Sequence, residues 1–283
     1  MRSSLVKLFS LLDKAEPGLF LNCTDAAGTE ELFADAEDIF AEAVPPPGKI
    51  LNNENYCYPN QKDIALVSDL HSSKGIDFSG LPYSACRMYE LSPNAFDVFV
   101  GAWMSELPLE EEMLRFGRKV IAANDCCTAN RMACNRSDND VRVILETANK
   151  VWHEIHRFQG FLRFAPDLKG RYIAHCEPDF FILPAFGEHF FLRFGKTPWA
   201  IIDDKRCLCL SCFSADAPEL NSIAVYSAEN HAQGTDTDQS EPDQWENLWK
   251  NYHQVINNAC RENPALQRQL MPKRYWKNLP EMK

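Results

Sequence analysis

Four side chains in the second half of the chain have the chemistry of general acids and bases: His156, Glu177, Asp179 and His189. His156 ends a predicted helix beside a predicted strand, and Glu177-Pro178-Asp179 follows another strand. Such ends can meet at one edge of a sheet, where these groups would supply a general base or two to four metal ligands. They form no named catalytic motif, because His153 and His156 are three residues apart, whereas the H-E-x-x-H zinc helix needs a spacing of four.

Asp179 has a second interpretation. An aspartate directly before a helix often accepts hydrogen bonds from the first helical turn, and a helix is predicted to begin at residue 181. The sequence therefore supports both a chemical role and a capping role for Asp179.

Eleven cysteines, an odd number without regular spacing, favour free thiols in a reducing compartment. Cys207, Cys209 and Cys212 resemble a metal-binding run, yet residues 206–213 have the apolar character of a strand, where cysteine packs as a small hydrophobic residue. A zinc site would need a second pair of cysteine or histidine ligands, which the sequence lacks. We expect neither a metal nor another cofactor.

Charge is distributed unevenly along an acidic chain whose net charge is -11. Residues 146–283 hold 16 basic and 18 acidic side chains, and eight of those acids lie within residues 216–246. Without that stretch the second half is basic, and it also carries four of the six tryptophans. Basic and aromatic side chains together are typical of single-strand nucleic-acid surfaces. The alternative is an aromatic core covered by the aliphatic stems of Lys and Arg.

Two segments carry this basic and aromatic character most densely. Residues 160–164 are predicted to form a strand, which would place Phe161 and Arg163 on one face as a stacking and phosphate-binding surface. Residues 272–277 combine three cations with Tyr275 and Trp276, although the same residues could form a docked helix whose rings lie in the core. The predicted nucleic-acid contacts are Arg157, Phe161, Arg163, Arg193, Lys273, Arg274 and Lys277.

Apolar spacing predicts which elements position these groups. Helices are predicted over residues 4–14, 29–43 and 140–158 and, between 83 and 123, from the proline starts Ser92-Pro93 and Leu107-Pro108. Short strands are predicted over residues 18–23 and 64–67. The region 1–140 is therefore expected to be mostly helical.

Beyond residue 140 the pattern changes to short apolar segments separated by turns. Strands are predicted over residues 160–164, 172–175, 199–202, 207–213 and 223–226, and helices over 181–194, 244–262 and 264–277. The apolar residues at helical spacing within 244–259 are expected to face the core. The predicted fold class is α+β, with a helical N-terminal region and, over residues 141–283, an antiparallel sheet flanked by helices.

The composition is that of an ordinary globular protein. The chain has 283 residues, 45% of them hydrophobic, and no run of about 18 apolar residues that could span a membrane. We expect a cytoplasmic protein without a membrane partner.

Several motifs of the second half recur together in other chains: residues 156–164, Tyr172, Glu177-Pro178-Asp179, Leu183-Pro184, His189-Phe190, Arg193-Phe194, and residues 271–277 and 279–281. In these motifs the chain resembles one bacterial family of unknown function, whose members are described as DNA metabolism or DNA repair proteins. The resemblance covers about residues 19–281 and is weaker in the first half. Phe180 and Phe181 stand where many relatives carry a polar His or Asn.

The resemblance implies a role in DNA metabolism and a radical-SAM protein as partner, and some relatives are fused to a uracil-DNA-glycosylase-like domain. Together with the charge pattern it predicts a factor that binds DNA through the basic and aromatic half. Two alternatives stay open. One is an enzyme that acts on a nucleotide or damaged base with the His, Glu and Asp residues above. The other is an adaptor that docks on the radical-SAM protein through the acidic first half.

Overall fold

The computed structural model describes residues 4–14, 59–73, 75–167, 169–213, 218–222, 244–256 and 263–279. The chain divides into two compact units. Unit 1 comprises Met1–Glu154 with Phe180–Ile182, and unit 2 comprises Ile155–Asp179 with Leu183–Lys283. The predicted helix over 29–43 and the strands over 18–23 and 223–226 lie outside the described residues. The domain boundary near residue 140 stays a prediction.

Unit 1 is helical in its described parts, as predicted. Its helices are α1 (Leu5–Asp13), α2 (Gln61–Leu70), α3 (Tyr83–Leu91), α4 (Pro93–Met104), α5 (Glu110–Ile121), α6 (Cys126–Ala133) and the first part of α7 (Asn139–Phe161). The start of α4 follows the predicted proline rule, because Ser92 accepts a hydrogen bond from the backbone N–H of Ala95 at 3.1 Å and Pro93 occupies the first turn. Phe9 packs between Phe96 and Phe99 in the core.

The predicted strand over residues 64–67 is wrong, because these residues belong to α2. A four-residue apolar run does not distinguish a strand from a buried helical segment. The Asn60 side chain caps α2 by accepting from the N–H of Asp63 at 2.8 Å. The buried Asp63 carboxylate in turn accepts from Ser4 Oγ at 3.0 Å and from the N–H of Val6 at 2.9 Å. A polar contact to the start of α1 therefore stabilises the helix.

His71 ends α2 with its ring edge-on to Trp152, at 5.1 Å between ring centres. Its Nε2 atom is covered and has no hydrogen-bond partner among the described residues. Burial lowers the pKa of His71 to about 4. Because the folded pKa lies below the ordinary value, the unfolded chain binds this proton more readily. The contribution of the neutral His71 to the free energy of unfolding is therefore fully present above about pH 6.5 and is lost as the pH falls toward 4.

We expect the free energy of unfolding to fall by about 2 kcal/mol between pH 7.5 and pH 5 through His71 alone. Urea denaturation at both pH values should show this loss in the wild type and in the control His153→Gln, whose side chain is exposed. His71→Phe should remove most of it. If the variant keeps the full pH dependence, the buried neutral imidazole is not its cause.

Unit 2 is built on a five-stranded sheet of β1 (Ala165–Pro166), β2 (Tyr172–Cys176), β3 (Trp199–Asp203), β4 (Leu208–Cys212) and β5 (Glu219–Ser222), in that order. Every neighbouring pair is antiparallel except β2 and β3, which are parallel. Unit 2 also contains a 3₁₀ helix (Leu183–Phe186) that leads into α8 (Gly187–Phe194), followed later in the chain by α9 (Gln244–Ile256), α10 (Pro264–Leu270) and the second 3₁₀ helix (Lys273–Asn278). The α+β fold class is confirmed.

The core of unit 2 lies on the central strand. All residues of β3 are buried, and Trp199 packs against Phe190 of α8 at 6.1 Å between ring centres. In β4, Cys209 and Cys212 are buried, as predicted for small residues of an apolar strand. No three His, Cys, Asp or Glu side chains of the described residues are grouped so as to hold a metal ion.

Two predictions for unit 2 are wrong. Residues 160 and 161 continue α7, and the strand next to them is β1, so residues 160–164 do not form a strand. The apolar residues of α9 were expected in the core, but four of them are exposed: Leu248, Tyr252, Val255 and Ile256. Across the described ranges, no helix has both the length and the apolar character needed to cross a lipid bilayer.

Candidate functional site

The parallel pairing of β2 and β3 brings the carboxyl ends of both strands to one edge of the sheet. In the register, His175 lies opposite Ile202 and Cys176 opposite Asp203. The Glu177-Pro178-Asp179 turn therefore lies beside the turn that starts at Asp204. The carboxyl ends of parallel strands commonly hold functional groups for this reason.

A buried ion pair fixes these two turns to each other. Arg206 Nη1 lies 3.0 Å from Asp203 Oδ2, and both side chains are almost completely buried. The same guanidinium donates to the carbonyl oxygens of Pro178 at 3.1 Å and Asp179 at 2.8 Å. Arg206 thus fixes the turn that carries Glu177. The same hydrogen bonds compensate for the burial of its charge.

His175 and Asp204 form the second charged pair at this edge. His175 Nδ1 lies 3.0 Å from Asp204 Oδ1, and the imidazole is about half exposed. The hydrogen bond to Asp204 raises the pKa of His175, while partial burial and the nearby Lys277 oppose the change. Because the folded pKa is raised, the pair stabilises the fold at low pH, and this contribution is lost as the pH rises through the folded pKa.

A shallow recess, partly open to solvent, lies beside this pair. Its apolar wall comes from the end of α7 and the second 3₁₀ helix, where Tyr275 packs 5.1 Å from Phe158 and 5.9 Å from Phe161. His175, Glu177 and Lys277 also line it. Glu177 and Lys277 form an ion pair in which both side chains are nearly half exposed. The recess therefore combines an aromatic wall with a histidine, a lysine and one carboxylate.

The structure brings two of the predicted nucleic-acid contacts, Phe161 and Lys277, to this recess. Arg157 lies one helical turn before Phe161 on α7, so the two side chains share a face of the helix. Lys273 lies over the ring of Trp276 at 5.8 Å.

The other predicted contacts lie elsewhere or are directed elsewhere. Arg163 follows α7, and its Nη1 atom donates to the carbonyl oxygen of Gly160 at 2.6 Å. Arg193 is exposed on α8. The side chain of Arg274 is outside the described part. The expected stacking surface of Phe161 with Arg163 on a strand face is wrong, because the helix continues to Phe161.

Of the four acid–base candidates, Glu177 alone lines the recess. His156 is exposed on α7, and His189 is exposed on α8, where partial burial and the charge of Arg193 lower its pKa. Among the residues that the structure describes, no hydrogen bond or ion pair joins either histidine to Glu177. Asp179 contributes its backbone oxygen, which accepts from Lys205 Nζ at 2.9 Å. A shared role in catalysis for these four residues stays a prediction.

The sequence reasoning missed His175 and Asp204. The signal for both was present, because each stands at the carboxyl end of a predicted apolar strand. An antiparallel sheet, however, places the ends of neighbouring strands at opposite edges. Only parallel pairing of the two strands would have placed them together.

Residues 116–281 match the family model described as a domain of unknown function, DUF4130. No curated protein and no solved structure matches the chain. The expected links to DNA metabolism and to a radical-SAM partner stay predictions. Because the match spans more than half of the sequence, the chain belongs to the DUF4130 family.

Proposed function

We propose that this chain is a DNA-metabolism factor whose unit 2 binds single-stranded nucleic acid at the recess. The carrying observation is the packing of the second 3₁₀ helix on the end of α7. Tyr275 is buried against Phe158 and Phe161, and Lys277 and the half-buried ring of Phe161 both line the recess next to this contact. The two classes of side chain that a single strand needs, a ring and a cation, thus meet at one place.

Aromatic rings supply the sequence-independent part of such binding. A base that stacks on a ring contributes about 1–3 kcal/mol, because every base has an aromatic face. Phe161 is only partly buried and lines the recess, so part of its ring surface faces the site. Trp276 is also partly buried, and its indole N–H donates to the carbonyl oxygen of Met271 at 2.9 Å, which fixes the ring.

The cations supply contacts to the phosphates. Lys277 is nearly half exposed, and Lys273 and Arg157 lie on the two elements that form the apolar wall. Glu177 is paired with Lys277 and therefore competes with a phosphate for it. When nucleic acid binds, the ammonium group of Lys277 must leave the carboxylate of Glu177 and contact a phosphate instead. These cations lie in a chain that is acidic overall, with a net charge of -11.

Fluorescence anisotropy with a labelled oligothymidylate, over a salt series, tests this proposal. We expect Lys277→Ala to weaken binding roughly three- to tenfold and to reduce the slope of log K against log salt by about 0.7, the value for one phosphate contact on a single strand. Glu177→Gln should strengthen binding, because it removes the competing carboxylate. Lys7→Ala, which removes an exposed cation in unit 1, is the matched control.

Two results would contradict the proposal. One is binding whose strength does not change between low and moderate salt. The other is an equal loss of affinity in the Lys277 and Lys7 variants, since a non-specific charge effect does not depend on the recess.

A further inference from the structure

His175 and Asp204 have no part in the stacking and phosphate contacts above, although His175 lines the same recess. The two residues come from the carboxyl ends of the parallel strands β2 and β3. His175 Nδ1 is held by both carboxylate oxygens of Asp204, at 3.0 and 3.3 Å. The geometry thus directs one ring nitrogen to Asp204.

The other nitrogen of His175, Nε2, is left for a ligand, since no described residue forms a hydrogen bond with it. Asp204 also favours the charged imidazolium, because a carboxylate beside an imidazole stabilises its protonated form. A doubly protonated ring carries a donor at each nitrogen. His175 can therefore present a charge-assisted N–H donor while Asp204 keeps its other side occupied.

Lys277 supplies a second cation from a different element, the second 3₁₀ helix. It lines the same recess and is close enough for its charge to act on His175. The charged groups that face His175 are Asp204 and Lys277, and Glu177 reaches the site through its ion pair with Lys277. When His175 is protonated, two cations and two carboxylates balance at this site, and an anion can then take the place of a carboxylate.

We propose that the recess binds a phosphate monoester carried by a nucleotide, with His175 and Lys277 as donors to the phosphate oxygens and Phe161 beside the base. This inference rests on the proposed function and names its ligand. A monoester carries about −1.5 to −2 charges near neutral pH, which suits two cations, whereas an internal diester carries one. The source is a phosphorylated strand end or a free mononucleotide.

The experiment compares matched oligothymidylates, with 5′-phosphate against 5′-hydroxyl and 3′-phosphate against 3′-hydroxyl, each labelled at the opposite end. Anisotropy is measured with the full chain at pH 6 and pH 8. We expect a phosphorylated end to bind roughly five- to tenfold more tightly at pH 6, in line with added charge-assisted hydrogen bonds. The preference should decrease as the pH rises and His175 loses its proton.

His175→Gln should reduce the phosphate preference at pH 6 and remove its decrease between pH 6 and pH 8. This variant also distinguishes titration of the imidazole from titration of the phosphate, whose own second pKa is near 6. Asp204→Asn should move the loss of preference to lower pH. His153→Gln, an exposed histidine of unit 1, is the control and should keep the wild-type preference. Circular dichroism confirms that each variant is folded.

The outcomes separate this inference from the proposed function. Salt-dependent binding that is equal for phosphate and hydroxyl ends overturns the phosphate site and leaves nucleic-acid binding intact. No binding to any oligonucleotide overturns both. Competition by thymidine monophosphate at a concentration comparable to the phosphorylated strand supports a free mononucleotide as the ligand, and weak competition supports a strand end.

Discussion

Asp203→Ala should lower the free energy of unfolding by roughly 3–5 kcal/mol, because it leaves the buried guanidinium of Arg206 without its anion. Both side chains are almost completely excluded from solvent. Asp203 Oδ1 also accepts from the backbone N–H groups of Lys205 and Arg206, at 3.0 and 3.1 Å. Urea denaturation, followed by tryptophan fluorescence, measures the loss.

The neighbouring residue provides the matched control. Asp204→Asn removes a carboxylate that is about one third exposed, so its effect on stability should stay below about 1 kcal/mol. The double variant Asp203→Leu with Arg206→Met should be less destabilised than Asp203→Ala alone, because no buried charge is left over. If Asp203→Ala and Asp204→Asn cost the same, the buried ion pair does not stabilise the turns.

Trp199→Ala is the second change with a large expected effect, a loss of about 3–5 kcal/mol in the free energy of unfolding. Trp199 starts the central strand β3, is fully buried, and packs against Phe190 and Phe194 at 6.1 and 6.3 Å between ring centres. Truncation leaves a cavity at the junction of sheet and helix. Thermal or urea unfolding followed by far-UV circular dichroism is the measurement.

Trp199→Phe tests whether ring volume causes this effect. The indole Nε1 of Trp199 is buried and has no hydrogen-bond partner among the described residues. Phenylalanine keeps most of the ring and removes this unsatisfied donor, so the loss should stay below about 1.5 kcal/mol. An equal loss in both variants would point to a specific contact of the indole nitrogen instead of packing.

Local signals were enough for much of the fold. The cap at Ser92 with Pro93 behind it, and the short apolar segments that became β2, β3 and β4, depend on neighbours in sequence. The helical character of unit 1 and the α+β class follow from such signals. Glu177, Phe161 and Lys277 were also named from residue type and local pattern, and all three line the recess.

Other features depend on contacts between distant residues. A glycine such as Gly160 weakens a helix by about 1 kcal/mol relative to alanine. Local preference therefore favours a helix that ends before residue 160. The helix nevertheless continues, and this places Phe158, Phe161 and Leu162 on one face that meets Tyr275, more than a hundred residues later. Burial of these rings outweighs the local preference of Gly160 against a helix. The contact that buries them joins distant residues, so no pattern of neighbouring residues predicts it.

The sequence by itself determined the helical character of unit 1, the strands β2, β3 and β4, the family and the chemical identity of three recess residues, because these depend on residue type and on spacing within one segment. The tertiary structure decided that β2 and β3 run parallel. That choice joins His175 to Asp204 and lets Arg206 hold the Glu177 turn. Strand direction is set by how the 3₁₀ helix and α8 pack as a crossover between the two strands, and this is a property of the folded core.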